Sequence, residues 1–191
     1  IMQSIIINEF KEHIETSTKT MLQINSQIET AAKICITSLE KKGKILIFGN
    51  GGSAADSQHI AAELVSRYKT EREGIAAIAL TTDTSILTAI GNDYGYDRIF
   101  SRQIEALASS GDVAIGISTG GTSKNVVNAL ISAKKQGCKL IGFSGREGGS
   151  FNSICDVNII IPSNDTPRIQ EMHIVVGHTI CHLIELAFTE N

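Results

Sequence analysis

The chain has 191 residues, and 42% of them are hydrophobic, which is enough to enclose one core without an accessory module. The formal net charge is −3 and no cluster of basic residues occurs, so the composition argues against nucleic acid as the main partner. No apolar run approaches the roughly 20 residues that a membrane helix needs. No basic segment followed by an apolar stretch opens the chain, so we expect neither a secretion signal nor a membrane partner.

Cysteine usage predicts a cytoplasmic protein. The four cysteines are scattered along the chain and form no Cys-x-x-Cys pair. Each lies among apolar neighbours, as reduced core cysteines do, so we expect no disulfide. They are Cys35, Cys138, Cys155 and Cys181.

The first 42 residues predict helices. Apolar residues recur at helical spacing from residue 4 to residue 42, with polar residues between them. We expect two helices that end near Gly43, because glycine suits a helix C-terminus. This pair is longer than a cover for a small sheet requires, so it is either an extra cap or an interface between subunits. We favour the interface, because long exposed apolar helices commonly associate.

From residue 44 onward, short β-rich segments alternate with longer segments of helical patterning. This alternation is typical of a parallel sheet covered on both faces, so we predict a single α/β domain over 1–191. Ligands of such sheets bind beyond the carboxyl ends of the strands, here at the loops 49–53 and 118–123. The predicted strands are 44–48, 76–80, 113–117, 139–143 and 157–161. The predicted helices are 53–68, 84–91, 98–108, 123–136 and 168–189.

Both of these loops, GNGGS at 49–53 and STGGTS at 118–123, are rich in glycine and hydroxyl residues. A helix N-terminus has unpaired N–H groups and a partial positive charge, which attract an anion, and glycines let the backbone approach it. Neither loop matches the nucleotide P-loop or the dinucleotide Gly-x-Gly-x-x-Gly pattern. Either loop alone is also explained as an ordinary turn with a helix cap. Because two such loops share one sheet edge, we favour the phosphate of a small molecule as the ligand.

Two predicted helices carry polar residues that could face one point. His59 and Glu63 are four residues apart and lie about 40° apart around their helix. Gln170 and His178 are eight residues apart on the last helix. Two imidazoles, a carboxylate and an amide oxygen could ligate zinc. The alternative is a surface hydrogen bond or salt bridge, and spacing on two separate helices does not show that they meet.

The sequence does not decide the roles of the polar residues in two further segments. The segment GNDYG at 91–95 is a turn-prone loop after an apolar helix. Its Asn92 and Asp93 either form a simple turn or bind sugar hydroxyls. His173 lies near Gln170 in the sequence, where it either supports that residue or makes a subunit contact.

With both loops and both helices in view, the sequence resembles bacterial phosphoheptose isomerases of the sugar isomerase (SIS) family. The resemblance runs from near Met2 to the final helix. The motif GNGGSAADSQH, followed by Glu63 and by the late RIQE and its downstream histidine, is specific to that family. The matching segments are GNGGSAADSQHIAAEL (49–64), GNDYGYDRIFSRQ (91–103), GDVAIGISTGGTSKNV (111–126) and RIQEMHIVVGH (168–178).

The resemblance implies a three-layer α/β/α sandwich with a five-stranded parallel sheet and an N-terminal helical extension. It also implies a homotetramer with active sites between subunits, a sugar phosphate substrate and one zinc ion per subunit. Carried over by position, the zinc ligands are His59, Glu63, Gln170 and His178. The substrate contacts are Asn50, Gly51, Gly52, Glu63, Asn92, Asp93, Ser118, Thr119, Gly120, Ser123 and Gln170. Gly120 stands where a close relative has a second serine. A backbone N–H could replace the missing hydroxyl, whose loss bears on phosphate affinity rather than on reaction type.

The implied reaction converts D-sedoheptulose 7-phosphate to D-glycero-D-manno-heptose 7-phosphate through an enediol or enediolate. It is the first step of nucleotide-activated heptose biosynthesis, which supplies lipopolysaccharide core or capsule. Moving a proton between C1 and C2 requires a base, an acid and stabilisation of the oxyanion. We assign Glu63 as the base, His178 as the acid and zinc as the Lewis acid. A carboxylate bound to zinc is a poorer base, so the two roles of Glu63 compete.

Two other functions compete with this one. Relatives of similar length are non-catalytic adaptors that bind a replication initiator protein, and other SIS domains sense sugar phosphates in transcription regulators. An adaptor need not keep the four zinc-ligand residues, which are complete in this sequence. Isomerisation of another sugar phosphate, such as a pentose 5-phosphate, would use the same phosphate loops, so the sequence discriminates poorly between sugars.

Overall fold

The computed structural model describes residues 1–189, so residues 190 and 191 of the predicted domain lie outside the described part of the chain. Its centre is a sheet of five parallel strands, as the alternating pattern predicts. The strands are β1 (Ile45–Gly49), β2 (Ala77–Ala79), β3 (Val113–Ile117), β4 (Lys139–Gly145) and β5 (Val157–Ile161).

Helices precede the sheet and connect its strands. The first two, α1 (Met2–Gln23) and α2 (Asn25–Glu40), are the predicted N-terminal pair, and α2 ends close to Gly43 as expected. The others are α3 (Gly52–Val65), α4 (Thr84–Tyr94), α5 (Ser101–Leu107), α6 (Lys124–Lys135), α7 (Phe151–Ile154) and α8 (Thr166–Thr189), with a 3-10 turn at Tyr96–Arg98.

Both faces of the sheet are apolar, and each is covered by its own set of helices. Along β1, Ile45 and Ile47 pack with α2, α3 and α8, whereas Leu46 and Phe48 pack with α4 to α7. Successive side chains of a strand point to opposite faces, so a continuously apolar strand is buried on both. The three-layer α/β/α arrangement expected from the sequence is therefore confirmed.

The strand order β2-β1-β3-β4-β5 places the two glycine loops side by side. Strands β1 and β3 are neighbours, and Gly49 is in register with Ile117 at their carboxyl ends. Helix α3 follows β1 on one face of the sheet, and α6 follows β3 on the other. Connections that leave neighbouring strands toward opposite faces open a crevice between them, which is where such sheets bind ligands.

The end of α4 differs from the prediction. The helix predicted over 84–91 continues to Tyr94, so Asn92 and Asp93 lie in its last turn and not in a loop. Gly95, with φ of 85°, follows the helix in a conformation that glycine adopts without steric cost. The loop prediction was wrong because turn-prone residues are tolerated in the final turn of a helix.

Helix α8 is long and apolar enough to cross a membrane by length and composition, although polar residues interrupt its apolar segments. The structure places it in the core, where it packs against α1, α2, α3 and the sheet. It also buries Arg168, His173 and Glu185, which a helix facing lipid would not carry. We therefore interpret α8 as a core helix.

Helix α1 is joined to the rest of the chain mainly through α8. The buried Arg168 donates to the carbonyl oxygen of Glu9 at 2.7 Å and to the carboxylate of Glu171 at 2.7 Å. His13 is bonded to the same Glu171 at 2.8 Å. Much of the remaining surface of α1 is apolar and exposed. Its exposed apolar residues include Ile5, Ile6, Ile7, Phe10, Ile14, Met21 and Leu22.

A buried ion pair joins the loop after α3 to helix α8. The carboxylate of Glu185 accepts hydrogen bonds from the backbone N–H groups of residues 68–70 at distances between 2.8 and 3.1 Å. Nε of Arg72 lies 3.2 Å from the same carboxylate. Burial alone would raise the pKa of Glu185, but the three N–H donors and Arg72 lower it to about 2. Arg72 also donates to the carbonyl oxygens of Glu63 and Leu64, so the pair fixes the end of α3 against α8.

Replacing Glu185 with glutamine should lower the free energy of unfolding by about 3 kcal/mol, because an amide cannot accept from all three N–H groups or neutralise Arg72. Urea denaturation at pH 7 measures the change, with the exposed Glu71→Gln as control. The folded-state pKa of Glu185 lies below its ordinary value of 4.5, so its contribution is present above that pH and is lost as the pH falls toward about 2. The stabilities of wild type and E185Q should therefore converge over this range, and a constant difference would contradict the interpretation.

Candidate active site

The turn between β1 and α3 has the backbone that an anion site needs. Gly51 has φ of 57°, in the left-handed region that favours glycine, and it immediately precedes α3. The first N–H groups of α3 are therefore presented at the carboxyl edge of the sheet. Gly49 packs closely on the neighbouring strand, since a Cβ there would lie 2.8 Å from the carbonyl oxygen of Ile117. The turn thus lies directly beside the end of β3.

The turn between β3 and α6 is held by its own hydroxyl groups. The Oγ atoms of Ser118 and Ser123 are 2.9 Å apart, and Ser123 is the residue before α6. Gly121 has φ of 64°, and a Cβ there would collide with the carbonyl group of Gly148, so only glycine fits. Thr119 and Gly120 lie between these fixed points. The turn therefore presents N–H and hydroxyl donors at the crevice.

An amide network that the sequence analysis missed joins the two turns. Asn50 and Asn125 exchange two hydrogen bonds between their side-chain amides, at 2.8 and 2.9 Å. Tyr96 donates its hydroxyl to Oδ1 of Asn50 at 3.0 Å. The amide oxygen of Asn50 is fully used in this way, and one N–H of its amide remains for a ligand. Asn125 and Tyr96 lie within the segments that carry the family resemblance, which is the one signal that could have found them.

The histidine and carboxylate residues predicted on α3 and α8 meet at one point. Nε2 of His59 lies 3.1 Å from Oε1 of Glu63 and 3.2 Å from Nε2 of His178. Nε2 of His178 lies 3.9 Å from the same carboxylate oxygen. The ligands of a tetrahedral zinc ion are about 3.3 Å apart, so the spacing of these donor atoms fits a metal ion. The three residues form a possible metal-binding group.

The approach of α3 to α8 at this point depends on a glycine. A Cβ at Gly177 would lie 2.5 Å from Cδ1 of Ile60, so a larger residue would push the two helices apart. Gly177 precedes His178 and Ile60 follows His59, so this contact lies directly beside the cluster. The ring of Tyr68 packs on His178 with 5.4 Å between ring centroids. Packing therefore sets the separation of the two helices beside the cluster, and Tyr68 covers one side of the His178 ring.

Gln170, the fourth predicted ligand, lies on α8 against the β1–α3 turn. A Cβ at Gly52 would lie 2.9 Å from Nε2 of Gln170, so glycine at this position makes room for the amide. Gln170 thus links the glycine turn to the helix that carries His178.

Asn92 and Asp93, at the end of α4, form a side-chain hydrogen bond with each other at 2.8 Å. Within residues 1–189, neither forms a hydrogen bond with another predicted site residue.

Two titratable groups at the cluster have shifted pKa values. Burial and the neighbouring His59 lower the pKa of His178, while Glu63 acts in the opposite direction. Burial raises the pKa of Asp56 to about 6, against the effect of His59. Asp56 lies one turn before His59 on α3, and its Oδ2 is buried without a hydrogen-bond partner among the described residues. The lowered pKa of His178 favours its neutral form, which is the form that binds a metal.

His173 lies in the core. Its Nε2 donates to the carbonyl oxygen of Ser144 at 2.9 Å, and its ring packs on Phe143. Burial lowers the pKa of His173 to about 4, so the ring is neutral. The residue therefore holds the end of β4 against α8.

Comparisons with known proteins identify the family. A SIS domain family model matches residues 9–145. The chain is 61% identical over 184 residues to the phosphoheptose isomerase of Aliarcobacter butzleri, which covers 96% of this chain and 97% of that protein. The solved structure of phosphoheptose isomerase GmhA from Neisseria gonorrhoeae has a TM-score of 0.92 and 42% identity, over 97% of this chain and 99% of that chain. A phosphoheptose isomerase from Francisella tularensis has a TM-score of 0.94 and 33% identity, over 97% and 98%. The chain therefore belongs to the phosphoheptose isomerase family of SIS domain proteins, whose members are isomerases.

Proposed function

We propose that this chain isomerises D-sedoheptulose 7-phosphate to D-glycero-D-manno-heptose 7-phosphate through an enediol or enediolate. The observation that carries the proposal is the meeting of His59, Glu63 and His178 beside two turns suited to an anion. The relatives that match over nearly the whole chain are named for the same substrate class. The product would enter nucleotide-activated heptose biosynthesis in the cytoplasm, for lipopolysaccharide core or capsule.

The two glycine turns anchor the phosphate end of the sugar. Their N–H groups and the hydroxyls of Ser118 and Ser123 are the donors, and the spare N–H of Asn50 faces a sugar oxygen. Asn92 and Asp93 bind sugar hydroxyls from the end of α4. The binding energy from these groups, which are remote from the reacting carbons, holds those carbons in the orientation that the reaction needs. The full set of substrate contacts is Asn50, Gly51, Gly52, Glu63, Asn92, Asp93, Ser118, Thr119, Gly120, Ser123 and Gln170.

Glu63 and His178 carry the proton transfers. Oε1 of Glu63 faces the two imidazoles, whereas Oε2 accepts no hydrogen bond within residues 1–189 and is available to take the proton from carbon. This division lets Glu63 serve as a ligand through one oxygen and as the base through the other. With Nε2 of His178 in the cluster, the proton that His178 would donate to the carbonyl oxygen is the one on Nδ1. A neutral imidazole can act as the acid toward a developing enediolate.

His59, Glu63, Gln170 and His178 hold one zinc ion per subunit in this proposal. Their two imidazoles, carboxylate and amide oxygen make a donor set that suits zinc. When bound, zinc supplies Lewis-acid polarisation of the substrate carbonyl. The side chains supply the position, because α3 and α8 already hold three of the four donors close together.

The proposed enzyme is a single SIS domain over 1–191 that assembles as a homotetramer through residues 1–42. The exposed apolar surface of α1 supports this assembly, because a soluble monomer rarely leaves so large an apolar surface uncovered. His59 is 49% exposed, so a neighbouring subunit would complete the wall of the active site.

Substitution of Glu63 by glutamine should lower kcat about 10²- to 10⁴-fold with sedoheptulose 7-phosphate, because the amide cannot take the proton. The assay is run beside pentose 5-phosphates and fructose 6-phosphate, and the wild type should prefer the heptulose. Glu71→Gln serves as a control for loss of an exposed carboxylate. Near-normal turnover by E63Q would exclude Glu63 as the base, and turnover of none of these sugars by the wild type would exclude isomerisation in favour of an adaptor role.

Elemental analysis of the purified protein should find about one zinc per chain. His59→Ala and His178→Ala should each reduce the zinc content to a small fraction, because two or fewer strong donors remain. His13→Ala removes a histidine on α1 and should leave the zinc content unchanged. A chelator should lower both the midpoint of thermal unfolding and the activity, and added zinc should restore them. Equal zinc content in all four proteins would refute this site.

Phe10→Glu should dissociate the tetramer, because a charge in an apolar contact between subunits must be desolvated. Analytical ultracentrifugation measures the mass, with Lys11→Glu on the same helix as the control. Activity should fall together with the mass if the active sites lie between subunits. A wild-type protein that sediments as a monomer would contradict this proposal while leaving the chemistry of the site untouched.

A further inference from the structure

The proposed phosphate contacts in the two turns include no cation. A phosphate monoester carries between one and two negative charges at pH 7. The residues offered to it at 49–53 and 118–123 are glycine, asparagine, serine and threonine. Hydrogen bonds from a charged donor are roughly twice as strong as those from a neutral one. A cation at the rim of this site would therefore dominate both the affinity of the site for phosphate and its selectivity for phosphorylated sugars.

Arg146 is a cation held beside the β3–α6 turn. It follows β4 at the carboxyl edge of the sheet, and β4 is the neighbour of β3. Its backbone N–H donates to the carbonyl oxygen of Ser163 at 2.9 Å, and Nη2 donates to Oγ1 of Thr166 at 3.2 Å. Its φ is 56°, a left-handed conformation that residues with a side chain rarely adopt, so its surroundings hold the backbone there. Within residues 1–189 its guanidinium forms no ion pair with a carboxylate.

Gly120 lies opposite this guanidinium. A Cβ at Gly120 would lie 3.7 Å from Nη1 of Arg146 and 3.5 Å from Oγ1 of Thr122, and both are ordinary contact distances. The φ of Gly120 is not positive, unlike that of Gly121. A serine would therefore fit at position 120, and the backbone does not require the glycine. Without a side chain at this position, Nη1 is left facing the turn.

We infer that Arg146 binds the phosphate of the substrate and supplies the donor that Gly120 lacks. The inference rests on the proposed function, since it adds one residue to the same phosphate site. A guanidinium offers two parallel donors and a full charge, which suit a phosphate much better than a sugar hydroxyl. Arg146 is thus a determinant of specificity for phosphorylated sugars, and its tether to Thr166 reduces the entropy lost on binding.

Steady-state kinetics of Arg146→Gln with sedoheptulose 7-phosphate test this role. Loss of a charged donor should raise KM about 10- to 100-fold. The value of kcat should stay within about threefold of wild type, because the residue contacts the phosphate and not the reacting carbons. Lys134→Gln removes a cation at the far end of α6 and should leave both constants unchanged.

A second substitution tests the relation between the two positions. Gly120→Ser restores a hydroxyl donor and should lower the raised KM of Arg146→Gln severalfold. The same change in the wild type should have a smaller effect, because Arg146 already supplies the contact. Equal effects of Gly120→Ser in both backgrounds would show that the two positions act independently. This result would refute the inference that Arg146 supplies the donor that Gly120 lacks.

Two outcomes would overturn the role of Arg146: an unchanged KM in Arg146→Gln, or a fall in kcat at unchanged KM. Calorimetry with inorganic phosphate separates this inference from the proposed function. Weaker phosphate binding by the variant supports the inference even if the wild type does not isomerise the heptulose, and equal binding refutes it. If Arg146→Gln does not fold, Arg146→Lys replaces it, because it keeps the charge, loses the planar fork and should still raise KM.

Discussion

Helices α3 and α8 approach closely because Gly177 presents no side chain to Ile60, and the arrangement of the cluster of His59, Glu63 and His178 depends on this contact. His59 and His178 adjoin these two residues in sequence, so a wider separation of the helices would break the 3.2 Å contact between their Nε2 atoms. The buried ion pair at the end of α3 holds the same two helices together further along. The geometry of this cluster is therefore a consequence of core packing, which resists small displacements because protein interiors are close-packed.

The two glycine turns, which form the proposed anion-binding half of the site, have a different physical origin. They arise from the sheet, where neighbouring strands β1 and β3 send their helices to opposite faces and leave the two turns side by side. The amide exchange between Asn50 and Asn125 joins the β1–α3 turn to the start of α6. Gln170 connects the two halves, since it lies on α8 and packs on Gly52. The proposed substrate would span both halves, with one end at the glycine turns and the other at the histidine–carboxylate cluster.

The local sequence pattern was sufficient to predict much of the fold and part of the candidate site. Short apolar runs that alternate with helical segments, such as 113–117, are typical of strands buried on both faces. The four-residue spacing of His59 and Glu63 places them on one side of a helix whatever surrounds it. The end of α4 was missed because Asn92 and Asp93 are compatible with both a turn and a final helical turn. Local preference there is weaker than the tertiary packing that decides the outcome.

The sequence by itself determined the elements, the glycine turns and, through a family resemblance, the residues of a candidate metal site. Only the tertiary structure decided which of these residues meet. The meeting of His178 with His59 joins residues 119 positions apart, and that of Asn50 with Asn125 joins residues 75 apart. The same holds for the place of Arg146 opposite Gly120. Helical and strand periodicity reports which face a residue occupies, but it carries no information on which face of another element lies against it, because that is set by the packing of the whole core.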